Sequence, residues 1–532
     1  MRKSNFLKRG AALLLAGILA TSFVGCGAKK ETPEDKTNTT TEEESAVTLT
    51  FGMTTASAWK ERYESFTDLP LGKELQKQTG VNLEMTHVED KTAMNLLLAT
   101  GEYPDIISYN WQLNYTGGEG KAIEDGVIYG MSEEFVKENA PDYWRVLNEN
   151  PELLKQVKTP SGDIFGFAFI LGDEILKGGY GLIIRDDWCE ELGIELPETA
   201  DEYYEMLKAF KEKKGVEIPL SVSSANLGTM LDRGIITSPF NLVTRELYLM
   251  DGKVQAGFYQ QEYKDALAWL NKLYTEGLLD PNFITIDEPT VTSNMLTGKA
   301  GASVGSVGSV LGNWLSTNKD VADYSLAGLK NLVAQKGDRA MYGHYNTDVV
   351  GGTTVITTEC EDKEAAAKFL NYGYSEEGHM LYNFGIEGVS YEMIDGKPIY
   401  TDLVMNNPDG LTSQQALSEY QLAYGNGPFV QDKDYLLQYY STQEQIDALN
   451  RLTDNDAKNY KLPRITISSD LVSEYSSLTS DIKTYQDEMT MKFITGVESL
   501  NNYDKYLETL KNMGVERLIE IVQGAVDEYN SR

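Results

Sequence analysis

The chain has 532 residues, with 81 acidic against 47 basic side chains and a formal net charge of −34 at neutral pH. A body of this length exceeds what one hydrophobic core supports, so two lobes are expected. The acidic field repels phosphate backbones and anionic head groups, which argues against nucleic-acid binding and against a polyanionic ligand unless a local Arg or Lys pocket overrides it.

Residues 1–25 carry Arg2, Lys3, Lys8 and Arg9, then an apolar run from Ala11 to Val24 that meets Gly25-Cys26. The run is shorter than the roughly 20 residues needed to span a bilayer, so a cleaved lipoprotein signal peptide is expected rather than a membrane helix. Phe23-Val24-Gly25-Cys26 looks like a lipobox, with Cys26 as the lipid attachment residue and Phe23 in place of the usual leucine. Residues 26–46 hold Thr, Glu, Lys and Asn with almost no large apolar side chain, and are expected to be a disordered tether. The body would then stand on the extracellular face of the cell membrane, anchored through its N-terminal lipid.

Alternation of Val47, Leu49 and Phe51 predicts a first strand over 47–53, and the spacing that follows predicts a helix over 71–79 and a strand over 81–88. A further helix over 92–100 and a strand over 105–109 complete a βαβ wind with a parallel sheet. Ligands of such sheets sit beyond the carboxyl ends of the strands, which puts 54–59 and 109–111 at the mouth of a cleft. Downstream, 180–184 is a strand, and Thr199 with Glu202 forms a capping box before Tyr203, Met206, Leu207 and Phe210 on one helical face. An amphipathic helix covers 262–274, a short strand 299–304, and a Gly/Ser-rich loop 305–314. A β-rich run spans 348–357, a helix 363–372, and a hairpin turns at Asp395-Gly396. The C-terminal region is mostly helical.

Beyond Cys26 there are only Cys189 and Cys360, which read as two buried free thiols rather than a disulfide. His87, His344 and His379 are scattered, so neither a metal site nor a cofactor is expected. Gly301-Ala302-Ser303-Val304-Gly305 matches a nucleophile elbow in letters, but the context expected of a hydrolase is missing and no catalytic residue is assigned.

Five stretches in order resemble the family 1 extracellular solute-binding proteins of bacterial ABC transporters, oligosaccharide-type subgroup. They are GEYPDI at 101–106, IIRDDWCEELGIELPETADEYYEMLKAF at 183–210, LYTEGLLDP at 273–281, NFGIEGVSYEMIDGKP at 383–398, and FITGVESL with the later GVERLIEIVQGAVDEY. The resemblance implies an α/β fold of two lobes like that of periplasmic binding proteins, joined by hinge crossovers, with a mostly helical C-terminal extension. It implies that 47–165 and 345–390 form one lobe and 166–344 and 391–532 the other, with hinges near 165–180, 342–349 and 387–391. The calcium loop of alginate-binding relatives has no counterpart in 213–219, so calcium is not carried over.

A pyranose needs flat aromatic plates ringed by amides, carboxylates or Arg. Trp144, Trp188 and Trp269 fall inside predicted helices and read as core, which leaves Trp59, Trp111 and Trp314 as stacking candidates with packing as the alternative for each. Tyr109 and Asn110 share the strand-end loop. Arg185 and Asp187 would grip hydroxyls or a uronate, or else form a structural salt bridge. Tyr345 and Asn346 lie in a loop entering a crossover, and Glu387 and Tyr391 come with the family motif, Glu387 capping a turn in the alternative reading. The leading function is capture of a neutral oligosaccharide by a monomer that delivers it to the transmembrane permease subunits of an importer. A surface glycoside hydrolase and a sensor or adhesin lipoprotein for another solute are the alternatives.

Overall fold

The first strand, Thr48–Thr54, buries Leu49 and Phe51 by simple alternation and pairs in parallel with Asn82–Val88 on one side and Ile106–Tyr109 on the other. The intervening helices are bounded by local chemistry. Pro70–Thr79 begins with proline at its first position and stops at Gly80, and Lys91–Thr100 is capped by Asp90 and stops at Gly101. Both stops need a positive φ, which glycine supplies without steric cost. A fourth strand, Thr353–Ile356, arrives from far along the chain and joins antiparallel to Ile106–Tyr109. This computed structural model describes residues 47–54, 57–423 and 427–532, so the expected signal peptide, Cys26 and the tether lie outside the described residues.

A second four-stranded sheet has the order Leu326–Gly328, Tyr180–Arg185, Ala300–Ser306, Ile218–Leu220. Ala300–Ser306 and Ile218–Leu220 are parallel, whereas Tyr180–Arg185 runs antiparallel to both of its neighbours. The capping box of Thr199 and Glu202 starts Ala200–Lys213, which buries Tyr203, Met206, Leu207 and Phe210 as the spacing predicts. The stretch expected as a Gly/Ser loop is instead a π-turn over Val307–Leu311 leading into helix Gly312–Thr317.

The two sheets have separate cores. Leu182, Ile184, Phe210, Leu267 and Phe283 pack with the C-terminal helices through Phe493, Tyr503 and Val522. The other core joins Leu49, Phe51 and Ile356 to Tyr391, Tyr400, Leu417, Phe429 and Tyr435. Residues 391–435 therefore pack with the first sheet, not with the second as the sequence expectation assigned them. The reason is the hairpin Tyr391–Ile394/Lys397–Tyr400, whose terminal tyrosines lie 6.1 and 5.9 Å from Phe384. Its turn is the expected one, with Asp395 and Gly396 at φ of 51° and 77°.

Three crossing segments lie side by side. Leu171 donates to the Asp348 carbonyl at 2.8 Å, Ile170 to Phe429 at 3.1 Å and Gly172 to Gln431 at 3.2 Å. The third crossing is thus at 429–431, and the expected hinge at 387–391 sits instead at the base of the hairpin. Cys189 and Cys360 are buried free thiols, and burial pushes each up to about 12.

Candidate functional site

At the carboxyl ends of Thr48–Thr54 and Ile106–Tyr109 the chain leaves a cavity of about 290 Å³ lined by Thr54, Trp59, Lys91, Ser108, Tyr109, Asn110, Gly352 and Ser418 among others. Trp59 shows only its rim, 2% exposed, with its ring edge-on to His87 at 5.8 Å. Burial keeps His87 below the ordinary histidine range, and its Nε2 accepts the Phe66 N–H at 3.1 Å. Tyr109 donates to Asn95 Oδ1 at 3.1 Å, and burial raises its phenol. Asn110 caps the short helix Trp111–Asn114 through Oδ1. The strand-end reading of Trp59, Tyr109 and Asn110 thus gathers three residues at one cavity.

Trp111 is a correction. Its side chain turns back under the sheet, 0% exposed, and donates Nε1 to the Thr353 carbonyl at 3.2 Å, so it offers no stacking face. Trp314 is likewise buried, inside a helix, with Nε1 3.4 Å from Thr292 Oγ1. Arg185 and Asp187 bind each other, Nε to Oδ1 at 2.8 Å, and the guanidinium lies 4.3 Å from the Trp188 ring and 4.6 Å from Tyr324. That pair sits at the wrong end of its strand. Because Tyr180–Arg185 is antiparallel, the end facing the carboxyl edge of Ala300–Ser306 is Tyr180, opposite Ser306. Tyr391 is buried and Glu387 is exposed beside it in the hairpin.

The second sheet's carboxyl edge carries Tyr180, Ser223, Asn226, Ser306 and Glu288. Ser223 Oγ donates to Glu288 Oε1 at 2.9 Å, and Gly308, having no side chain, lets the Tyr440 ring approach. Arg233, from the end of helix Ser224–Asp232, lies 4.4 Å over the Tyr180 ring, and His344 meets the same ring edge-on at 6.2 Å. Tyr345 and Asn346 follow in the crossover. Tyr345 donates to Glu174 at 2.9 Å, the Asn346 N–H goes to the Lys177 carbonyl at 2.9 Å, and Lys177 in turn bridges Glu174 and Asp348 at 2.6 and 2.7 Å. These residues brace the crossing rather than present a plate. The crossover from His344 at one edge to Gly352 at the other is eight residues, so at most about 29 Å of chain separates the two edges. Arg233 was not legible in the sequence, since nothing local distinguishes it from any helix-terminal arginine.

Residues 59–380 match the family described as bacterial extracellular solute-binding protein. The chain belongs to this family. This solute-binding protein is 26% identical over 472 residues to Lipoprotein LipO of Bacillus subtilis (strain 168), covering 85% of this chain and 87% of the relative. It is 25% identical over 468 residues to the polygalacturonan/rhamnogalacturonan-binding protein YtcQ of the same organism, covering 84% and 86%. Among solved structures, an EF-hand mutant of the Streptococcus pneumoniae substrate-binding protein FusA in complex with fructo-nystose superposes with a TM-score of 0.70 at 21% identity, covering 91% of this chain and 99% of the other. The two sheets and three crossings are therefore the two lobes and hinge of a solute-binding fold.

Within the solute-binding protein, Ser303 of the elbow-like letters is fully buried in mid-strand and donates to the Ser221 carbonyl at 2.7 Å, so it is not displayed on an exposed turn. His344 is held down to about 3, first by burial and then by Arg233 and Lys461. A histidine whose folded value lies below its unfolded value, near 6.5, contributes stability that is complete above pH 6.5 and is lost as pH falls toward 3. Wild type is expected to lose more stability than His344→Gln between pH 7 and 4.5, by up to about 2 kcal/mol for a largely buried ring. Parallel urea titrations check this, and equal losses would remove His344 from the account.

Proposed function

We propose that this chain is a lipid-anchored extracellular subunit of an ABC importer that binds an oligosaccharide between its lobes and delivers it to the transmembrane subunits. One observation carries the reading. Both sheets end, on the side bordered by the same crossover, in aromatic and polar side chains: Trp59, Tyr109 and Asn110 on one edge, and Tyr180 under Arg233, with Ser223 and Asn226, on the other. That mixture suits a pyranose, with its apolar C–H face and polar rim. The polygalacturonan/rhamnogalacturonan-binding relative YtcQ and the fructo-nystose complex of FusA support carbohydrate as the ligand class. Cys26 carries the lipid in this reading, supported by the LipO name. The protein acts as a monomer whose closed state is favoured by ligand, because only closure lets both edges touch one saccharide.

The test is a thermal-shift and calorimetric screen of the full-length chain against neutral and acidic oligosaccharides, with the recovered glycan checked for cleavage. A ligand at a hundred times its Kd adds about 2.7 kcal/mol of stability. A shift with intact glycan supports the proposal. Cleaved product would replace it with the hydrolase reading, and no shift across the panel would move it to a non-sugar solute.

A further inference from the structure

The second lobe's edge carries a charge arrangement that runs against the composition of the whole chain. In a protein of net charge −34, Arg233 and Lys461 are half-buried side by side and neither makes an ion pair with a described residue. The nearby carboxylates Asp232 and Glu246 act on these cations from a distance and make their direct ion pairs with other partners. Asp232 is held by Arg245 and lies 3.9 Å from Lys483, and Glu246 turns toward Lys483 at 3.8 Å. Glu288, on the rim, is engaged by Ser223. The face of Tyr180 beneath Arg233 is covered by the guanidinium at 4.4 Å, so this ring is not a bare stacking plate. His344 completes the wall with a buried Nδ1 that has no hydrogen-bond partner among the described residues.

From this geometry we infer that the Arg233–Lys461–His344 wall is a subsite for a carboxylate, so that the ligand is a uronate-bearing oligosaccharide rather than a neutral one. The inference deepens the carbohydrate-binding reading and rests on it. The Arg233 guanidinium, 4.4 Å over the Tyr180 ring, makes no ion pair with a described residue, and its N–H groups match the two oxygens of a carboxylate. The partly desolvated setting strengthens that pair relative to one in bulk water, and the neighbouring ammonium of Lys461 adds to it. Burial holds both Lys461 and Arg233 below their ordinary values, outweighing the opposite pull of Glu246 on Lys461 and of Asp232 on Arg233. The local field here overrides the acidic exterior, which acts over distances that salt largely screens.

The experiment is calorimetry of the full-length chain with three probes: trigalacturonic acid, its methyl ester and the neutral trisaccharide kestose. The acid is expected to bind at least about tenfold more tightly than the ester, as a charge-assisted hydrogen-bond pair requires. Arg233→Gln is expected to bring that preference to within about threefold, and Lys461→Gln to reduce it part of the way. Should Arg233→Gln melt at a lower temperature than wild type, the Lys461→Gln arm and the loss of the wild-type preference between 50 and 500 mM salt carry the test. Equal binding of acid and ester, or a folded Arg233→Gln that keeps the full preference, overturns the inference. Binding of kestose without the acid overturns it while leaving the carbohydrate reading intact, whereas no binding of any saccharide overturns both.

Discussion

Replacement of Trp111 by alanine is expected to cost about 3–5 kcal/mol of folding stability, the range for removing a fully buried aromatic side chain. The indole is 0% exposed and meets Tyr109 edge-on at 5.5 Å and Tyr115 at 5.9 Å. It packs in a satellite core with Met94, Ile107 and Val355. Its Nε1 donates to the Thr353 carbonyl, which ties the loop after Ile106–Tyr109 to the first residue of the strand that returns from the crossover. Trp111→Phe keeps most of the volume and leaves that carbonyl without its donor, so a smaller loss of about 1–3 kcal/mol is expected. Urea unfolding followed by circular dichroism measures both. A loss below about 1 kcal/mol for Trp111→Ala, accompanied by a large fall in saccharide affinity, would restore Trp111 to the role of stacking plate.

The contrast between Trp111 and its neighbours shows which parts of the molecule were legible in the sequence. Strand Thr48–Thr54, the helices closed by Gly80 and Gly101, and the capping box at Thr199 are set by interactions within a few residues, and the predicted bounds fall within one or two positions of the observed ones. Placing a residue at a strand end is equally local, which is why Trp59, Tyr109 and Asn110 come together at one cavity. Whether a side chain at that position points up into the cleft or back under the sheet depends on what the far strand Thr353–Ile356 brings, and the sequence does not carry that. Strand direction is the second gap. Arg185 and Asp187 follow a strand correctly predicted, yet the strand runs antiparallel to its neighbours, so the residues after it lie at the end away from the carboxyl edge and Tyr180 before it lies at that edge. The assignment of 391–435 fails for a related reason. Tyr391 and Tyr400 are buried only because Phe384 receives them, a pairing that the hairpin turn alone does not determine.

Arg245→Ala is expected to be at least as damaging as Trp111→Ala, about 3–5 kcal/mol, because it strands buried charge rather than merely opening space. The Arg245 side chain is 1% exposed, with Nε on the Asp232 carboxylate and Nη1 2.9 Å from that of Asp487. Lys483 approaches the same two acids at 3.9 and 3.4 Å but is half-exposed and cannot replace the buried partner. If Arg233 belongs to a carboxylate subsite, Arg245 also acts on the ligand edge without touching it. By holding Asp232, it limits that carboxylate to a partial offset of the adjacent Arg233. In Arg245→Ala the freed Asp232 becomes the counter-ion of Arg233, and the preference for trigalacturonic acid over its ester is expected to fall along with the stability. The double variant Arg245→Ala/Asp232→Asn removes the competing charge, and should recover most of the preference and part of the stability. Calorimetry with acid and ester on wild type, Arg245→Ala, Asp232→Asn and the double variant completes the cycle. If Asp232→Asn recovers stability but not the preference, Arg233 does not owe its availability to the Arg245–Asp232 pair, and the two clusters act independently.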